Sequence, residues 1–390
     1  MLQLQIINFR KDSYILVEGK EVSDRFFIIQ SGKVCCVKSN DSTGLATKQL
    51  GPGDFVGVIP CMSGHSQIEN AICVEDTKVI SVKKDQYPDL IRNNTPIALK
   101  IIRTFANRMR VMNEQLTTLA LNNVASETPE HMFEVAEYYE KQGNIDVATY
   151  AYYQYLKECP KGQYFEEAKK RFVMYKPRSK ATYFEPNADL ARSYKAGTMI
   201  FSECQKGSDM FVIQDGQVTI SKVVNGTEVV LAVLNRGDMF GEMALLENKP
   251  RSASAIAHTD CRLMVINRQN FDSMVGTQPQ LVSRLTTTLA ERLWSMYRQL
   301  DNACLTDPYH KVIDMLALQL EKGHKLSGQC QTDFTPKDLV GMCTISQMQE
   351  PTVIYQLNTD KTLKIIGGKI FVPDCQEILK QSAFFRKQKS

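Results

Sequence analysis

The sequence repeats itself with a period of 184 residues, and this repeat constrains the fold more than any other feature. FFIIQSGKV (26–34) aligns with MFVIQDGQV (210–218), and LGPGDFVG (50–57) aligns with LNRGDMFG (234–241). The alignment has no gap, and the two copies cover roughly residues 10–112 and 194–296. Because such a long ungapped match marks a duplicated structural unit, each copy is predicted to fold as one domain.

Each copy contains short apolar segments separated by glycine turns, such as FFIIQ (26–30) and MFVIQ (210–214). Short, evenly spaced strands with glycine turns are typical of a β-sandwich or jelly roll. Each copy ends in a helix whose apolar residues recur at steps of three and four, which favours pairing with another helix. The apolar positions are Ile97, Ile101, Phe105, Met109, Met112 and Leu116 in the first helix, and Leu281, Leu285, Leu289, Leu293, Met296 and Leu300 in the second. The predicted fold class is α+β, with two β jelly-roll domains and long C-terminal helices.

The most informative motif is FGEMALLENKPRSASAIA (240–257) in the second copy. A phosphodiester anion needs backbone N–H groups at a glycine turn or helix N-terminus, and an Arg whose planar fork matches phosphate oxygens. Gly241 allows close backbone approach, Glu242 offers a carboxylate to a ribose hydroxyl, and Arg251 offers the cation. The other predicted ligand-binding residues are Met243, Ala244, Ser252 and Ala253.

This motif resembles that of the cyclic-nucleotide-binding family, whose signature reads G-E-x-A-L-L, a few residues, then P-R-x-A. The glycine turns at Gly216 and Gly237 and the helix after the motif fit the resemblance. The resemblance implies a cyclic mononucleotide as an allosteric ligand, with cyclic AMP favoured over cyclic GMP, and no metal. The alternative is a sandwich loop that carries a surface Glu and Arg without a ligand.

The first copy lacks the charged residues of this motif. Its equivalent segment, VGVIPCMSGHSQIENAIC (56–73), keeps Gly57 but has Val58, Gln67 and Ile68 in place of the Glu, Arg and Ser. A phosphate in a semi-buried pocket without a cation is costly, and Gln67 cannot neutralise it. The first copy is therefore predicted to be a structural or allosteric relic, with a different, neutral ligand as the alternative.

The segment between the copies, residues 128–160, has small residues and aromatics at helical spacing and resembles a tetratricopeptide repeat. The matching positions are Met132, Val135, Ala136, Tyr139, Gly143, Ala148, Tyr152 and Pro160. Tyr155 departs from the family's usual Ala, residues 166–172 are predicted to start a capping helix, and residues 174–180 a linker. One repeat rarely buries a full core, so it is expected to lean on a neighbouring domain. The interpretation as a helical spacer is favoured over a peptide-binding groove for a protein partner.

The C-terminal segment resembles the winged helix-turn-helix of the Crp–Fnr regulators. It has a Thr-Pro-opened helix with Leu339, a recognition segment at 346–357, and a hairpin at Gly367–Gly368. The recognition segment contains no Lys or Arg, and Pro351 should break its helix unless it lies in the first turn. DNA binding is therefore expected to be weak or non-specific. The residues with the potential to touch bases are Gln347, Gln349, Thr352 and Tyr355.

Composition excludes several classes of protein. The formal net charge of +4 is small for 390 residues and does not by itself indicate binding to nucleic acid or membranes. No apolar segment approaches the length of a membrane span, so no transmembrane helix is predicted. The 11 cysteines form no CxxC pair and the 5 histidines lie far apart, which favours reduced thiols in a cytoplasmic protein without a metal site. No nucleophile–base pair or Walker loop is present, so we expect no enzyme activity.

The resemblance also bears on assembly, because Crp-like proteins pair two long helices across a homodimer. Here both helices occur in one chain, so helix 97–120 is predicted to pack on helix 281–304 as an intramolecular pseudo-dimer. The resemblance implies that Met296 and Tyr297, on the helix of the second domain, contact the base of the bound cyclic nucleotide. It implies the same of Asn113 on the helix of the first domain. The alternatives are a homodimer through the same residues and a solvated Asn113.

The predicted protein is a cyclic AMP sensor whose Crp-like C-terminal domain is the output. The alternatives for the output are transcription regulation and a signalling adaptor that does not bind DNA. The predicted domains are a degenerate cyclic-nucleotide-binding domain with its helix at 1–122, the helical segment and linker at 128–180, the intact domain with its helix at 181–304, and the winged helix at 305–390.

Overall fold

The computed structural model describes residues 4–20, 23–38, 48–121, 128–183, 190–224, 226–242, 249–267, 270–271, 277–343, 345–346 and 348–388. These residues form two compact units. The first unit comprises Met1–Tyr87, Val111–Asn122 and Leu289–Ser390, and the second comprises Pro88–Arg110 and Asn123–Thr288.

The first unit contains a β-sandwich of two antiparallel four-stranded sheets, with strand orders β1-β8-β3-β6 and β2-β7-β4-β5. The strands are β1 (Gln5–Phe9), β2 (Tyr14–Leu16), β3 (Arg25–Ser31), β4 (Val34–Val37), β5 (Lys48–Leu50), β6 (Phe55–Val56), β7 (Asn70–Cys73) and β8 (Thr77–Lys83). Apolar side chains from both sheets, including Phe27, Val34, Ala71 and Val79, form its core. The short helix α1 (Val58–Ser63) follows β6 and is buried.

The second unit contains the equivalent sandwich, with strand orders β10-β15-β12-β13 and β14-β11-β16-β9. The strands are β9 (Ala191–Tyr194), β10 (Met199–Phe201), β11 (Asp209–Asp215), β12 (Val218–Val224), β13 (Thr227–Leu234), β14 (Met239–Phe240), β15 (Ser254–Ala257) and β16 (Cys261–Asn267). The same strand pairings in both copies confirm the fold that the 184-residue repeat predicts: an α+β chain with two tandem β-sandwiches.

A glycine is required at the same turn of both sandwiches. Gly32 and Gly216, which the repeat aligns, both have positive φ, at 93° and 84°. A Cβ would lie 2.6 Å from the Asp76 carbonyl oxygen in the first sandwich and 2.2 Å from the Asp260 carbonyl oxygen in the second. No other residue fits a turn that combines this backbone conformation with such close contact.

A long helix follows each sandwich, at α3 (Thr95–Leu121), after the short α2 (Tyr87–Asn93), and at α7 (Pro279–Ala303). Each long helix belongs partly to both units. The second unit contains α3 up to Arg110 and α7 up to Thr288, and the first unit contains the rest of each helix. Most of the apolar positions predicted for the two helices are buried. These are Ile101, Phe105, Met109 and Met112 in α3, and Leu285, Leu289, Leu293, Met296 and Leu300 in α7.

The segment between the sandwiches folds as three helices of the second unit, α4 (His131–Lys141), α5 (Ile145–Glu158) and α6 (Phe165–Tyr175). Their buried residues share one apolar core with Met199, Cys204 and Val223 of the second sandwich. The expectation that this segment leans on a neighbouring domain is confirmed. The predicted linker at 174–180 is helical over residues 174–178, because α6 ends at Tyr175 and a 3-10 helix (Lys176–Arg178) follows it.

The C-terminal region of the first unit contains α8 (Pro308–Lys322), α9 (Pro336–Gly341), α10 (Glu350–Thr359) and α11 (Cys375–Lys387). A three-stranded sheet accompanies them, in the order β17 (Cys330–Gln331), β19 (Lys369–Val372), β18 (Lys364–Ile366). Thr335 and Asp338 form a capping box that starts α9 with Pro336 in its first turn. Pro351 also lies in the first turn of its helix, the position that a proline tolerates.

Of the helices that the structure describes, none combines the length and the apolar character that a membrane crossing requires.

Candidate functional site

Arg251 is the centre of the candidate site in the second sandwich. Its side chain is only 6% exposed, and its guanidinium lies over the ring of Phe201 with 4.2 Å between the guanidinium carbon and the ring centroid. Nη1 donates a hydrogen bond to the Gly241 carbonyl oxygen at 2.7 Å. Nε is buried and has no hydrogen-bond partner among the described residues.

Two glycines make room for this guanidinium. A Cβ at Gly241, where φ is +78°, would lie 2.7 Å from Arg251 Nη1. A Cβ at Gly207 would lie 2.5 Å from Arg251 Nε. Any side chain at either position would displace the cation, so both residues hold open the space that the guanidinium occupies.

Burial makes the environment of Arg251 unfavourable for a cation that has no ligand. Burial lowers the pKa of Arg251 to about 10, although the negative charges of Asp209 and Glu242 act in the opposite direction. Glu242 is itself almost fully buried. A bound phosphate would supply a further anion and a hydrogen-bond acceptor for the guanidinium, so Arg251 fits an anionic ligand.

The other residues predicted around Arg251 follow the chain on either side of it. Ser252 is half-buried and Ala253 is buried. Met243 and Ala244 lie outside the described residues. The structure therefore brings Gly241, Glu242 and Arg251 together.

Comparison with known proteins identifies both sandwiches. Residues 6–94 and residues 191–278 each match the family model described as the cyclic nucleotide-binding domain. The chain carries two cyclic nucleotide-binding domains.

Proteins of similar sequence include bacterial and fungal members. The Cyclic AMP receptor protein of Thermus thermophilus is 31% identical over 133 residues, which are 34% of this chain and 62% of that protein. The CRP-like cAMP-activated global transcriptional regulator of Mycobacterium tuberculosis is 22% identical over 48% of this chain and 86% of its own length. The cAMP-dependent protein kinase regulatory subunit of Mycosarcoma maydis is 37% identical over 24% of this chain and 19% of its own length.

The chain therefore spans less than two thirds of the first of these relatives. Among solved structures, the Thermus thermophilus Catabolite Activator Protein matches 50% of this chain and 90% of its own at 25% identity, with a TM-score of 0.29.

The first cyclic nucleotide-binding domain has an apolar arrangement at the equivalent position. A Cβ on Gly57 would lie 2.7 Å from Cδ1 of Leu16, where the second domain has the guanidinium of Arg251. Val58, Gln67 and Ile68, which replace the Glu, Arg and Ser, are all buried. The loss of phosphate binding in the first domain stays a prediction.

In each domain, a long helix contacts the segment that carries the motif or aligns with it, residues 56–73 and residues 240–257. In the second unit, Nη2 of Arg110 on α3 donates to the Pro250 carbonyl oxygen at 3.1 Å. In the first unit, Nε1 of Trp294 on α7 donates to the Ser66 carbonyl oxygen at 3.3 Å. The repeat aligns Arg110 with Trp294 and Ser66 with Pro250, so the two contacts are equivalent. Each segment is contacted by the helix that follows the other domain.

The predicted base-contacting residues Asn113, Met296 and Tyr297 belong to the first unit. There the ring of Tyr297 lies beneath Lys38, with 5.7 Å between Nζ and the ring centroid, and Met296 is buried. Their part in ligand binding stays a prediction.

The predicted DNA-contacting residues lie on or beside α10. Thr352 and Tyr355 are exposed, and the exposed Gln349 precedes the helix and accepts a hydrogen bond from the Ser346 hydroxyl. Gln347 lies outside the described residues. The hairpin of β18 and β19 turns at Gly367–Gly368, as predicted, and both glycines have positive φ.

Sequence reasoning missed Arg110 and Gly207. One feature of the sequence points to Arg110. It is a charged residue next to the apolar position Met109, and the repeat aligns it with Trp294 in the other copy. Gly207 gave none, because a glycine beside a strand is an ordinary turn residue until the guanidinium is placed against it.

Proposed function

We propose that this chain is a cyclic-nucleotide sensor that binds one ligand through its second domain. Arg251 holds the phosphate, Glu242 accepts from the ribose hydroxyl, and the Gly241 turn allows close approach of the backbone. The observation that carries this proposal is the buried guanidinium whose Nε has no partner among the described residues. A buried, incompletely paired cation is costly, and an anionic ligand removes that cost.

The proposed ligand is cyclic AMP in preference to cyclic GMP. The receptor from Thermus thermophilus and the kinase regulatory subunit from Mycosarcoma maydis both have cyclic AMP in their names, and both resemble this chain. The proposal assigns no catalytic step and no metal to the chain. Cytoplasmic location and a reduced state of the cysteines belong to the same proposal.

Fluorescence polarisation of a fluorescent cyclic AMP analogue tests the proposal. Unlabelled cyclic AMP should displace the probe at lower concentration than cyclic GMP, and 5′-AMP should displace it poorly. Arg251→Ala should remove essentially all binding, whereas Arg236→Ala, which changes an exposed Arg of the same domain, should have no effect. Equal binding by wild type and Arg251→Ala would contradict the proposal.

We further propose that the C-terminal region is an output domain that regulates transcription through weak, sequence-tolerant DNA binding. Its helix pair and hairpin have the order expected of a winged helix-turn-helix. The recognition helix α10 carries no basic residue, but Lys361, Lys364 and Lys369 beside or in the hairpin are exposed. Phosphate contacts from these lysines would give affinity with little dependence on sequence.

A second candidate output is protein binding, and the apolar side chains around α10 favour it. Met348 is 92% exposed and Tyr355 is 69% exposed, which is unusual for side chains of this size. In this alternative the chain is an adaptor that cyclic nucleotide controls and that does not bind DNA.

A mobility-shift series in rising salt, with and without cyclic AMP, separates the two outputs. Transcription regulation predicts a salt-sensitive shift of unrelated DNA fragments that Lys364→Ala with Lys369→Ala abolishes and Tyr355→Ala leaves unchanged. The adaptor predicts no shift even at low salt. Tight binding of one operator, lost on Gln349→Ala or Tyr355→Ala, would contradict the weak binding proposed here.

We also propose that the two long helices pair within one chain as a pseudo-dimer. The equivalent contacts of Arg110 with Pro250 and of Trp294 with Ser66 support this arrangement, because each helix contacts the domain of the other copy. A homodimer through the same helices is the alternative.

A further inference from the structure

The helical segment of the second unit contacts the cyclic nucleotide-binding domain directly behind Arg251. Part of the contact surface on the domain is the loop 202–205, which leads from β10 towards β11 and contributes Cys204 to the shared core. This loop pairs with the backbone of Arg251 on both sides: Arg251 N donates to the Gln205 carbonyl oxygen at 2.9 Å, and Cys204 N donates to the Arg251 carbonyl oxygen at 2.8 Å. The position of this loop therefore sets the position of the Arg251 backbone.

Tyr150 of α5 fixes one end of the loop. Its hydroxyl lies within hydrogen-bond distance of the Ile200 carbonyl oxygen, at 3.1 Å, and of Gln205 Oε1, at 3.3 Å. The same Gln205 Oε1 accepts from Ser202 N at 3.0 Å, which closes the loop on itself. Tyr150 is buried, so water does not replace its hydroxyl as a donor when the side chain is truncated.

His131 of α4 contacts the middle of the same loop. Glu203 is fully buried, and its Oε2 lies 3.5 Å from Nε2 of His131. Its other oxygen, Oε1, accepts from Val223 N at 2.8 Å, and its backbone N donates to the Ser254 hydroxyl at 3.0 Å. A buried carboxylate of the domain thus has a titratable neighbour, His131, on the helical segment.

We propose that Tyr150 is a positioning residue for the phosphate-binding Arg251, and that the helical segment thereby sets the affinity of the second domain for its nucleotide. The proposal rests on the nucleotide-binding function proposed above. Tyr150 acts through Gln205 and the loop 202–205 without touching the ligand. Because coupling between sites is reciprocal, nucleotide binding also strengthens the docking of the helical segment. The segment is then part of the sensor, and not a spacer.

Isothermal titration of cyclic AMP into the full chain tests this proposal with two tyrosine variants of one helix. Tyr150→Phe should weaken binding roughly three- to tenfold, the effect of losing one buried neutral hydrogen bond. Tyr152→Phe is the matched control, because its hydroxyl is also buried but bonds to Glu140 within the helical segment. The control should bind as wild type does. Equal affinity of wild type and Tyr150→Phe would overturn the proposal.

A double-mutant cycle separates positioning from general destabilisation. In an Arg251→Lys background, which alters the guanidinium, Tyr150→Phe should lose most of its effect, whereas a merely structural role would give additive effects. Gln205→Met removes the side-chain acceptor of the Tyr150 hydroxyl and leaves the Ile200 carbonyl. It should reproduce the loss of affinity, so it decides the matter if Tyr150→Phe does not fold. Wild type that fails to bind cyclic AMP would instead refute the proposed function itself.

Discussion

At the scale of single residues, one pair of aligned positions separates the two domains. Arg110 contacts Pro250 in the motif of the second domain, and Trp294 contacts Ser66 in the equivalent segment of the first. In the first domain Trp294 also stacks on His65, with 3.8 Å between the ring centroids, and His65 lies 5.2 Å from the ring of His324. The first domain has no Arg equivalent to Arg251, and its segment 56–73 is contacted by aromatic rings. The equivalent segment of the second domain is contacted by a cation, Arg110.

The stacked pair predicts an unusual acid titration. Burial, with the nearby positive charges of His324, Lys84 and Arg298, lowers the pKa of His65 from 6.5 to about 4. The unfolded chain takes up this proton near pH 6.5 and the folded chain only near pH 4, so the free energy of unfolding falls as the pH falls from 6.5 to 4.

Fluorescence measures this titration directly, because Trp294 is the single Trp of the chain. The emission of Trp294 should change with a midpoint near pH 4, when His65 becomes a cation against the indole ring. His65→Gln should remove the transition. A midpoint near 6.5 would show that His65 is not buried against Trp294.

How far the candidate site can be predicted from sequence also depends on the residue. Glu242 and Arg251 lie nine positions apart in one motif, so local spacing identifies them. Arg110 lies 140 residues from Pro250 and Tyr150 lies 55 residues from Gln205. Such contacts depend on how distant elements dock, and no local pattern encodes that docking.

At the scale of elements, the strands, the long helices and the hairpin at Gly367–Gly368 follow from periodicity and glycine turns. The position where α6 ends does not follow from the sequence pattern, because Pro177 in a basic, polar segment suggests a linker. The structure has Pro177 in a 3-10 helix directly after Tyr175, where a proline is tolerated near a helix N-terminus.

The docking of the helical segment should depend on pH. Burial by itself lowers the pKa of His131, but the hydrogen bonds and charges of Glu203 and Glu134 outweigh it, and the net pKa is raised above 6.5. The stabilisation from His131 is therefore fully present below pH 6.5 and is lost as the pH rises through the folded-state pKa.

Thermal unfolding of wild type and His131→Gln across this range checks the prediction. Below pH 6.5 the variant should unfold at a clearly lower temperature, and the difference should shrink as the pH rises. A matched change at Glu134, which is largely exposed, should have a smaller effect. A difference that grows with pH would contradict the assigned charge of His131.

At the scale of the whole molecule, the two compact units do not coincide with the two copies of the repeat. Each unit contains one sandwich and parts of both long helices. Sequence reasoning predicts the copies, because they are contiguous in the chain. It does not predict that α3 and α7 each enter both units, because that depends on contacts between distant segments, such as Arg110 with Pro250 and Trp294 with Ser66.

The pseudo-dimer predicts a monomeric particle. Light scattering on the protein with cyclic AMP should give the mass of one chain, 44.2 kDa. Twice that mass, abolished by Leu289→Asp at a buried position of α7, would show that the helices pair between chains instead.

The central claim is that one chain binds one nucleotide, through Arg251. Calorimetric titration of cyclic AMP into the wild-type chain should give one site per chain, because the first domain has Val58, Gln67 and Ile68 where the second has Glu242, Arg251 and Ser252. Arg251→Ala should abolish the heat of binding, since a charge-assisted phosphate contact contributes about 1.5–3 kcal/mol and its loss leaves the anion unpaired. Two equivalent sites in the wild type, or unchanged affinity in Arg251→Ala, would contradict the account.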